Sequence, residues 1–256
     1  MKDASEYNVR AVERAVQILD CFDDEHPERG VSEIAQAVDL HKATVHRIVT
    51  TLLNYGYLER THDGQKYCLG LRLANLGAKV MRRMDLRREA LPYMTQLVEQ
   101  WGEACDLGIF EQGEVFYIEV LRGNHALTIA ARVGQHLPAH CTASGKLFLA
   151  HLPPQELNDI LSKPLVRYTN KTLTSPDEIR QQLEQIRQQG FGMDDEEFEA
   201  GISAVAAPIY NHEGTMIAAM SIPGPTSRMT DEIVPEIVRG LLEAAQAVSR
   251  HMGWHG

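Results

Sequence analysis

The sequence predicts an α+β fold in two parts: an N-terminal winged helix-turn-helix domain, then a linker helix leading into a C-terminal domain with a largely antiparallel sheet. Three observations predict it. Two helical segments separated by three or four residues are followed at once by an Asp-Gly hairpin signal. From residue 105 onward the long helical periodicity gives way to short strand-like runs broken at Gly-containing turns, Gln112-Gly113 and His212–Thr215. The charge is also split: in a chain of net charge -10, residues 1–88 hold 14 Lys/Arg against 13 Asp/Glu, and residues 89–256 hold 11 against 22. The predicted boundaries are 1–70 for the first domain, 71–84 for the linker helix and 85–256 for the second domain.

The totals bound the class. At 256 residues there is room for two ordinary domains, and 44% hydrophobic content is typical of a globular chain. No apolar run approaches the roughly 18 residues that span a bilayer. The segment MKDASEYNVR has no apolar stretch of the kind a signal peptide carries. Cys21, Cys68, Cys105 and Cys141 form no CxxC pair, which argues against a zinc ribbon and fits free thiols in a reducing cytoplasm. The expectation is a cytoplasmic protein with no membrane partner.

Residues 10–22 read as a first helix with Val12, Ala15, Val16, Leu19 and Phe22 buried. The loop 23–30 is broken by Pro27 and Gly30. Ser32 is a suitable N-cap for a short second helix, with Glu33 in its first turn and Ile34, Ala35 and Val38 facing inward. It ends near Asp39-Leu40. The third helix, HKATVHRIVTTLLNYG over 41–56, buries Val45, Ile48, Val49, Leu52 and Leu53 at helical spacing. Its other face offers Lys42, Ala43, Thr44, His46, Arg47, Thr50 and Thr51 and almost no carboxylate. Cations and hydroxyls without acids suit phosphates and base edges. Residues 57–61 and 66–69 read as strands around Asp63-Gly64, so that Arg60, His62, Gln65 and Lys66 lie on a wing. Within 40–88 there are 10 Lys/Arg and three acids, a basic island in an acidic chain.

Leu73, Leu76, Val80 and Met84 stripe the linker helix, which exposes Lys79, Arg82 and Arg83. Asp85 is placed to cap the next helix, which runs to Trp101 and which Pro92 should kink or delay. Strands are expected at 107–111, 114–120 and 127–133. The stretch GQHLPAH reads as a loop, and Ser144 or its predecessor caps a helix to His151. Helices follow at 154–161 and at 176–189. The second of these has Ser175, Pro176 and Glu178 as its start signal and Gly190 as its stop. Strands at 202–210 and 216–222 pair across a turn at 212–215. A last helix opens at Thr230 with an irregular first turn at Pro235 and runs to His251.

Several motifs in this order resemble the IclR family of bacterial transcriptional regulators: VRAVERAVQILDCF, LHKATVHR, YCLGLRLANLG, GQHLPAHCTASGK, DDEEFEAG, and AAPI followed by SIPGPTSR. The resemblance covers nearly the whole chain. It implies a GAF/PAS-like effector-binding fold for the second domain and a ligand-responsive, sequence-specific DNA-binding regulator. The expected partners are double-stranded DNA with a pseudo-palindromic operator, a small organic acid or aromatic effector, and a second copy of the chain, with dimers pairing into tetramers as a further option. The resemblance places the effector against Ala126, Ile129, Leu137, Ala143, Ser144, Asp194, Ile202, Ala204, Ser221 and Pro223. The opening of the helix at Thr142–Gly145 suits a carboxylate, whereas Ala204 and Pro223 stand where relatives can be polar. Ser32, Lys42, Ala43, Thr44, His46, Arg47, Thr50, Arg60, His62 and Lys66 are the expected DNA-facing set.

Other chemistries find little support. His136 and His140, with Cys141, would need a helix to converge their rings on a metal, and Pro138 sits between them. Asp194-Asp195-Glu196-Glu197 reads as a mostly solvated turn, with Asp194 the exception. TASGK is not a nucleophile elbow, and no phosphate-binding glycine motif is present. Neither an enzyme nor a cofactor or metal is expected.

Overall fold

The computed structural model describes residues 9–23, 25–81, 85–125 and 131–255. The chain divides into two compact units, Met1–Arg83 and Met84–Gly256.

The first unit opens with α1 (Arg10–Asp20), α2 (Val31–Ala37) and α3 (Lys42–Asn54), followed by a hairpin of β1 (Leu58–Arg60) and β2 (Tyr67–Leu69) and by α4 (Leu71–Met81). Its core is Ile18, Phe22, Ile34, Val45, Val49, Leu52, Leu58 and Tyr67. Burying Val45, Val49 and Leu52 contributes roughly 1.5–3 kcal/mol each and fixes which side of α3 faces out. The expected stripe on α1 needs correction: Val12 is 60% and Val16 50% exposed. Ala15, Ile18, Leu19 and Phe22 also stand at helical spacing, and it is Ile18 and Phe22 that reach the core. Ser32 does not cap α2. Gly30 holds the N-cap position, and its N–H donates to Glu33 Oε2 at 2.6 Å. The turn into α3 is made by Asp39 in the left-handed region, φ 49°, a conformation that Asp tolerates. The hairpin pairs Leu58 with Leu69 and Arg60 with Tyr67, and Arg29 adds an antiparallel bridge to Tyr67.

The second unit begins with α5 (Asp85–Trp101), which contains Pro92 in its interior, so the helix starts early rather than late. A six-stranded sheet follows. Its order is β5-β4-β3-β8-β7-β6, every neighbouring pair antiparallel, from β3 (Cys105–Glu111), β4 (Glu114–Leu121), β5 (His136–Pro138), β6 (Gly192–Asp195), β7 (Ile202–Tyr210) and β8 (Met216–Pro225). Between β5 and β6 come α6 (Ala143–His151), α7 (Pro154–Leu161) and α8 (Pro176–Gln189), and α9 (Val234–His251) closes the chain. The strands alternate. Ala204 and Ala206 join Val115, Tyr117, Leu147 and Leu183 in a core shared with α6 and α8. The intervening Val205, Ala207 and Ile209 are buried outside that cluster, and α9 and α5 pack on the sheet and on each other. The result is a helix–sheet–helix layering.

Both edge strands depart from expectation: His136–Pro138 and Gly192–Asp195 are strands rather than loop and turn. The strand expected at 127–133 lies partly outside the described residues, and Ala131–Val133 is not extended ladder. Thr142, not Ser144, caps α6, its Oγ1 accepting from Gly145 N at 3.2 Å. Ser175 precedes α8 without a side-chain capping bond, while Gly190 ends the helix at φ 78° as expected. The last helix starts at Val234, after the irregular turn that Pro235 suggested. No helix among the described residues is long and apolar enough to cross a membrane.

Candidate functional site

Two sites stand apart, one in each unit. In the first, the three inward residues of α3 leave Lys42, Ala43, His46, Arg47 and Thr50 exposed, with Thr44 half-buried. The first turn of α3 carries no acid, and His41 at the N-cap makes no side-chain capping bond, so the leading amides of the helix are open to an anion. Among the described residues Lys42 and Arg47 enter no ion pair. A shallow groove runs between α1 and α3 along Arg14, Ala43, Thr44, Arg47 and Thr51. Arg14 was not anticipated, because its cation belongs to a helix whose sequence reads as scaffold. The hydroxyls of Thr50 and Thr51 donate back to the carbonyls of His46 and Arg47 at 2.7 and 3.0 Å, leaving only their lone pairs outward.

The wing is more self-contained than its sequence suggests. Arg60 donates to Gly64 O at 2.9 Å and stacks over the Tyr67 ring, so it braces the hairpin. Thr61 and the Gln65 amide both donate to Asp63, holding its carboxyl below its ordinary pKa. His62 remains exposed. Lys66 lies half-buried 3.8 Å from Glu33. Ser32 is exposed on α2, within the same surface region of sequence as Glu33.

In the second unit, strand register gathers a single cavity. Asp106 on β3 pairs with Ser221 on β8, and Ser221 pairs with Ala206 on β7. Two residues along, Asp194 on β6 pairs with Ala204, which pairs with Pro223. All lie on the face covered by the start of α6. Leu137, Ala143, Ser144, Asp194, Ile202, Ala204, Ser221 and Pro223 line one cavity of about 140 Å³. Ala126 and Ile129 lie outside the described residues. The cavity also draws in Thr142, at the helix opening expected to suit a carboxylate, and Asp106, Tyr117, Gln135, Phe198 and Glu199, which no motif marks. A lone acid inside the apolar run Cys105–Phe110 was the available signal for Asp106.

Glycines allow the approach of α6 to the sheet. A Cβ on Gly192 would lie 2.3 Å from Ala143 O, and one on Gly145 would lie 2.2 Å from Ala139 Cα.

The electrostatics are those of a closed site. Burial pushes the Asp106 carboxyl up to about 7; its Oδ2 faces the Ala131 amide at 3.5 Å and its Oδ1 has no partner among the described residues. Burial likewise pushes Asp194 up to about 7, against the stabilising 2.7 Å bond from Glu197 N. Ser144 Oγ is buried beside the Tyr117 phenol, whose pKa burial raises against the lowering effect of the Ser144 hydroxyl. The turn 194–197 is therefore less solvated than expected: Asp194 and Glu197 are both buried, and Glu197 pairs with Lys146, which is fully buried on α6. Thr172 Oγ1 and Thr169 Oγ1 hold the same turn by its Glu197 and Glu196 carbonyls at 2.6 and 2.7 Å. His136 faces Glu111 at 3.4 Å, and buried His140 is bonded to Val166 O at 2.9 Å, so neither is directed at Ser144 or at Cys141. Burial pushes the Cys141 thiol up to about 12.

Comparison with known proteins decides the lineage. The IclR helix-turn-helix domain matches residues 11–62, and the bacterial transcriptional regulator IclR C-terminal domain matches residues 78–250. The chain belongs to the IclR family of bacterial transcriptional regulators. The HTH-type transcriptional regulator XynR of Escherichia coli (strain K12) is 36% identical over 247 residues, 96% of this chain and 98% of that protein. The HTH-type transcriptional regulator KdgR of the same organism is 34% identical, over 97% of this chain and 94% of that protein. An IclR homolog from Microbacterium hydrocarbonoxydans, crystallised with 4-hydroxybenzoate, superposes with a TM-score of 0.84 at 33% identity, covering 94% of this chain and 98% of that one. IclR-family relatives are regulators, not enzymes, and the N-terminal helix-turn-helix is the family's DNA-binding domain.

Proposed function

We propose that this IclR-family protein reads a specific operator with the N-terminal half of α3 and releases or tightens on it when a small organic acid or aromatic metabolite enters the cavity beneath α6. The observation that carries the DNA-reading half is the outward face of α3: Lys42 and Arg47 without an ion pair among the described residues, no acid in the first turn, in a chain of net charge -10. In this reading α3 lies in the major groove. Arg47 reaches a guanine edge or a phosphate. Lys42, Ala43, Thr44, His46 and Thr50 flank it, and Ser32, Arg14 and the wing residues Arg60, His62 and Lys66 face the backbone. Two-fold pairing of chains sets a pseudo-palindromic operator, and dimers pair further into tetramers. Residues 1–70 act as the DNA-binding domain, 71–84 as the connecting helix and 85–256 as the effector domain, all in the cytoplasm.

The effector half is supported by eight family-derived positions meeting in one cavity and by the 4-hydroxybenzoate held by a relative. A ligand alters DNA affinity only through a difference in its affinity for two arrangements of the paired domains. Arg47→Ala is the test. Loss of a bidentate base contact costs about 1–3 kcal/mol, a 5- to 150-fold weakening on a selected operator. Unchanged affinity and footprint would remove α3 from the reading role. A thermal-shift screen of organic acids on the full chain tests the cavity; turnover of a hit would instead make the protein an enzyme.

A further inference from the structure

Strand β4 breaks its own alternation beside the cavity. Val115 pairs with Phe110 and Tyr117 with Gly108, both on the face toward α6, and Tyr117 lines the cavity with Asp106. Unbroken alternation would send Glu119 to that same face. The register instead shifts between Leu107 and Gly108, whose partners are Glu119 and Tyr117, and Ile118 is the extra residue of a β-bulge. Glu119 is therefore turned to the opposite face with Leu107, where α5 packs on the sheet.

On that face Glu119 is buried and both of its oxygens are used. Oε2 lies 2.6 Å from Arg87 Nη2, and Oε1 accepts from Val120 N at 3.1 Å. Arg87 stands in the first turn of α5, the helix with which the chain enters the second unit after α4. A buried carboxylate that loses its cation keeps its desolvation cost, so a shift of Glu119 draws Arg87 with it. On the cavity side Tyr117 is tied as closely. Its N–H donates to Gln135 O at 3.0 Å, its carbonyl accepts from Gly134 N at 2.9 Å, and Gln135 also lines the cavity. The residues on either side of Ile118 thus hold two different things, the cavity wall and the start of α5. A bulge is the point where a ladder is interrupted, so it is where β4 can yield without unpairing the strands beyond it.

We propose that Arg87 and Glu119 are positioning residues. Their pair pins the bulge in the register that turns the Tyr117 phenol into the cavity, and it passes a displacement of that wall to the first turn of α5. The regulatory meaning of this link rests on the reading of the cavity as the effector site; the link itself is a property of the unliganded chain. A compound that displaces Tyr117 moves the bulge, and the ion pair carries the shift across the sheet to the helix that follows the connecting segment.

The experiment is a double-mutant cycle on the full chain without ligand or DNA, read by hydrogen exchange with mass spectrometry. The amides of residues 89–91 bond back to the carbonyls of the first turn of α5, so their exchange reports that turn. Tyr117→Leu takes the phenol from the cavity wall and should quicken their exchange fivefold or more. In an Arg87→Met or Glu119→Gln background the same substitution should quicken it less than twofold. Arg87→Lys keeps a cation over Glu119 and should retain the response, which a role in packing alone does not require. If Tyr117→Leu or both neutral variants fail to fold by circular dichroism, a fluorine on the Tyr117 ring gives the readout. Its resonance should then shift with Arg87→Lys and stay in place with Arg88→Lys, one residue along. No response of residues 89–91 to Tyr117→Leu, a full response in the neutral backgrounds, loss of the response in Arg87→Lys, or a fluorine resonance indifferent to Arg87→Lys would each overturn the proposal. The organic-acid screen tests the effector reading separately. An intact link with no stabilising acid sustains the positioning role and removes the effector; a stabilising acid without the link does the reverse.

Discussion

Replacing Lys146 with Met should expose how the cavity wall is held. The Lys146 side chain is fully buried and Glu197 is 4% exposed. Glu197 Oε1 accepts from Lys146 Nζ and from Gln182 Nε2 at 3.3 Å, and Oε2 has no partner among the described residues. Taking away the ammonium leaves a buried carboxylate with one neutral donor. Breaking a buried pair in this way costs about 3–5 kcal/mol, because the surviving charge keeps its desolvation penalty and loses its compensation. For a domain of 150–250 residues each kcal/mol lowers the melting temperature by about 2–4 °C, so Lys146→Met should lower the second transition by roughly 6–20 °C. The same physics makes the reverse prediction for the pair. Lys146→Met with Glu197→Met removes both charges and should recover at least half of the loss, since a buried ion pair replaced by apolar groups of similar volume is often neutral. Scanning calorimetry of the four members of the cycle is the assay. A single variant within 2 °C of wild type by that scan, or a double variant as unstable as the sum of the singles, would refute the argument that the charges compensate each other.

Three further outcomes follow from the geometry. Lys42→Ala should lower the salt slope of operator binding by about 0.9 if its ammonium meets one phosphate, measured by fluorescence anisotropy across salt concentrations; an unchanged slope places Lys42 off the backbone. Gly145→Ala puts a Cβ against the Ala139 backbone and should destabilise the second unit by about 3 kcal/mol, read by denaturant unfolding; a neutral result would mean that the turn before α6 yields. Asp106 titrates near 7 folded against 3.8 in its ordinary state, so between those values the folded protein binds more protons, and its stability contribution declines as pH rises from about 4 to 7 and is flat above. Asp106→Asn abolishes that decline, so its unfolding free energy relative to wild type should climb across this window by up to about 1.4 kcal/mol per pH unit, read from denaturant unfolding at each pH. A constant difference would show that the carboxyl ionises as if exposed.

The first unit was legible because its signals are local. The inward spacing of Val45, Val49 and Leu52 decides the outward face of α3, and Asp63-Gly64 decides the wing. The helices α7 and α8 start and stop at the positions their Pro and Gly residues mark. The errors occur where two patterns overlap or where pairing, not composition, makes the element. On α1 two apolar stripes compete, and only packing against Ile34 and Val45 selects the one with Ile18. Gly192-Met193-Asp194-Asp195 has no strand propensity to read. It is extended because β7 supplies a ladder and because Gly192 lets it pass Ala143.

The cavity shows the same division at the level of chemistry. The family resemblance pointed to the hydroxyl of Ser221, and the amides at the start of α6 needed only local structure to be expected. That Glu197 is buried rather than solvated depends on its pairing with Lys146, some fifty residues away in sequence, and on two threonines fixing the turn from the other side. That Asp106 faces inward depends on the parity of β3, which a shift of one residue would reverse, sending the carboxyl to the opposite face with α5 and α9. Neither fact is a property of a motif. Buried charge is tolerated only where distant elements compensate it, so the polar chemistry of such a cavity is decided by tertiary pairing, and its buried acids are the residues least visible along the chain.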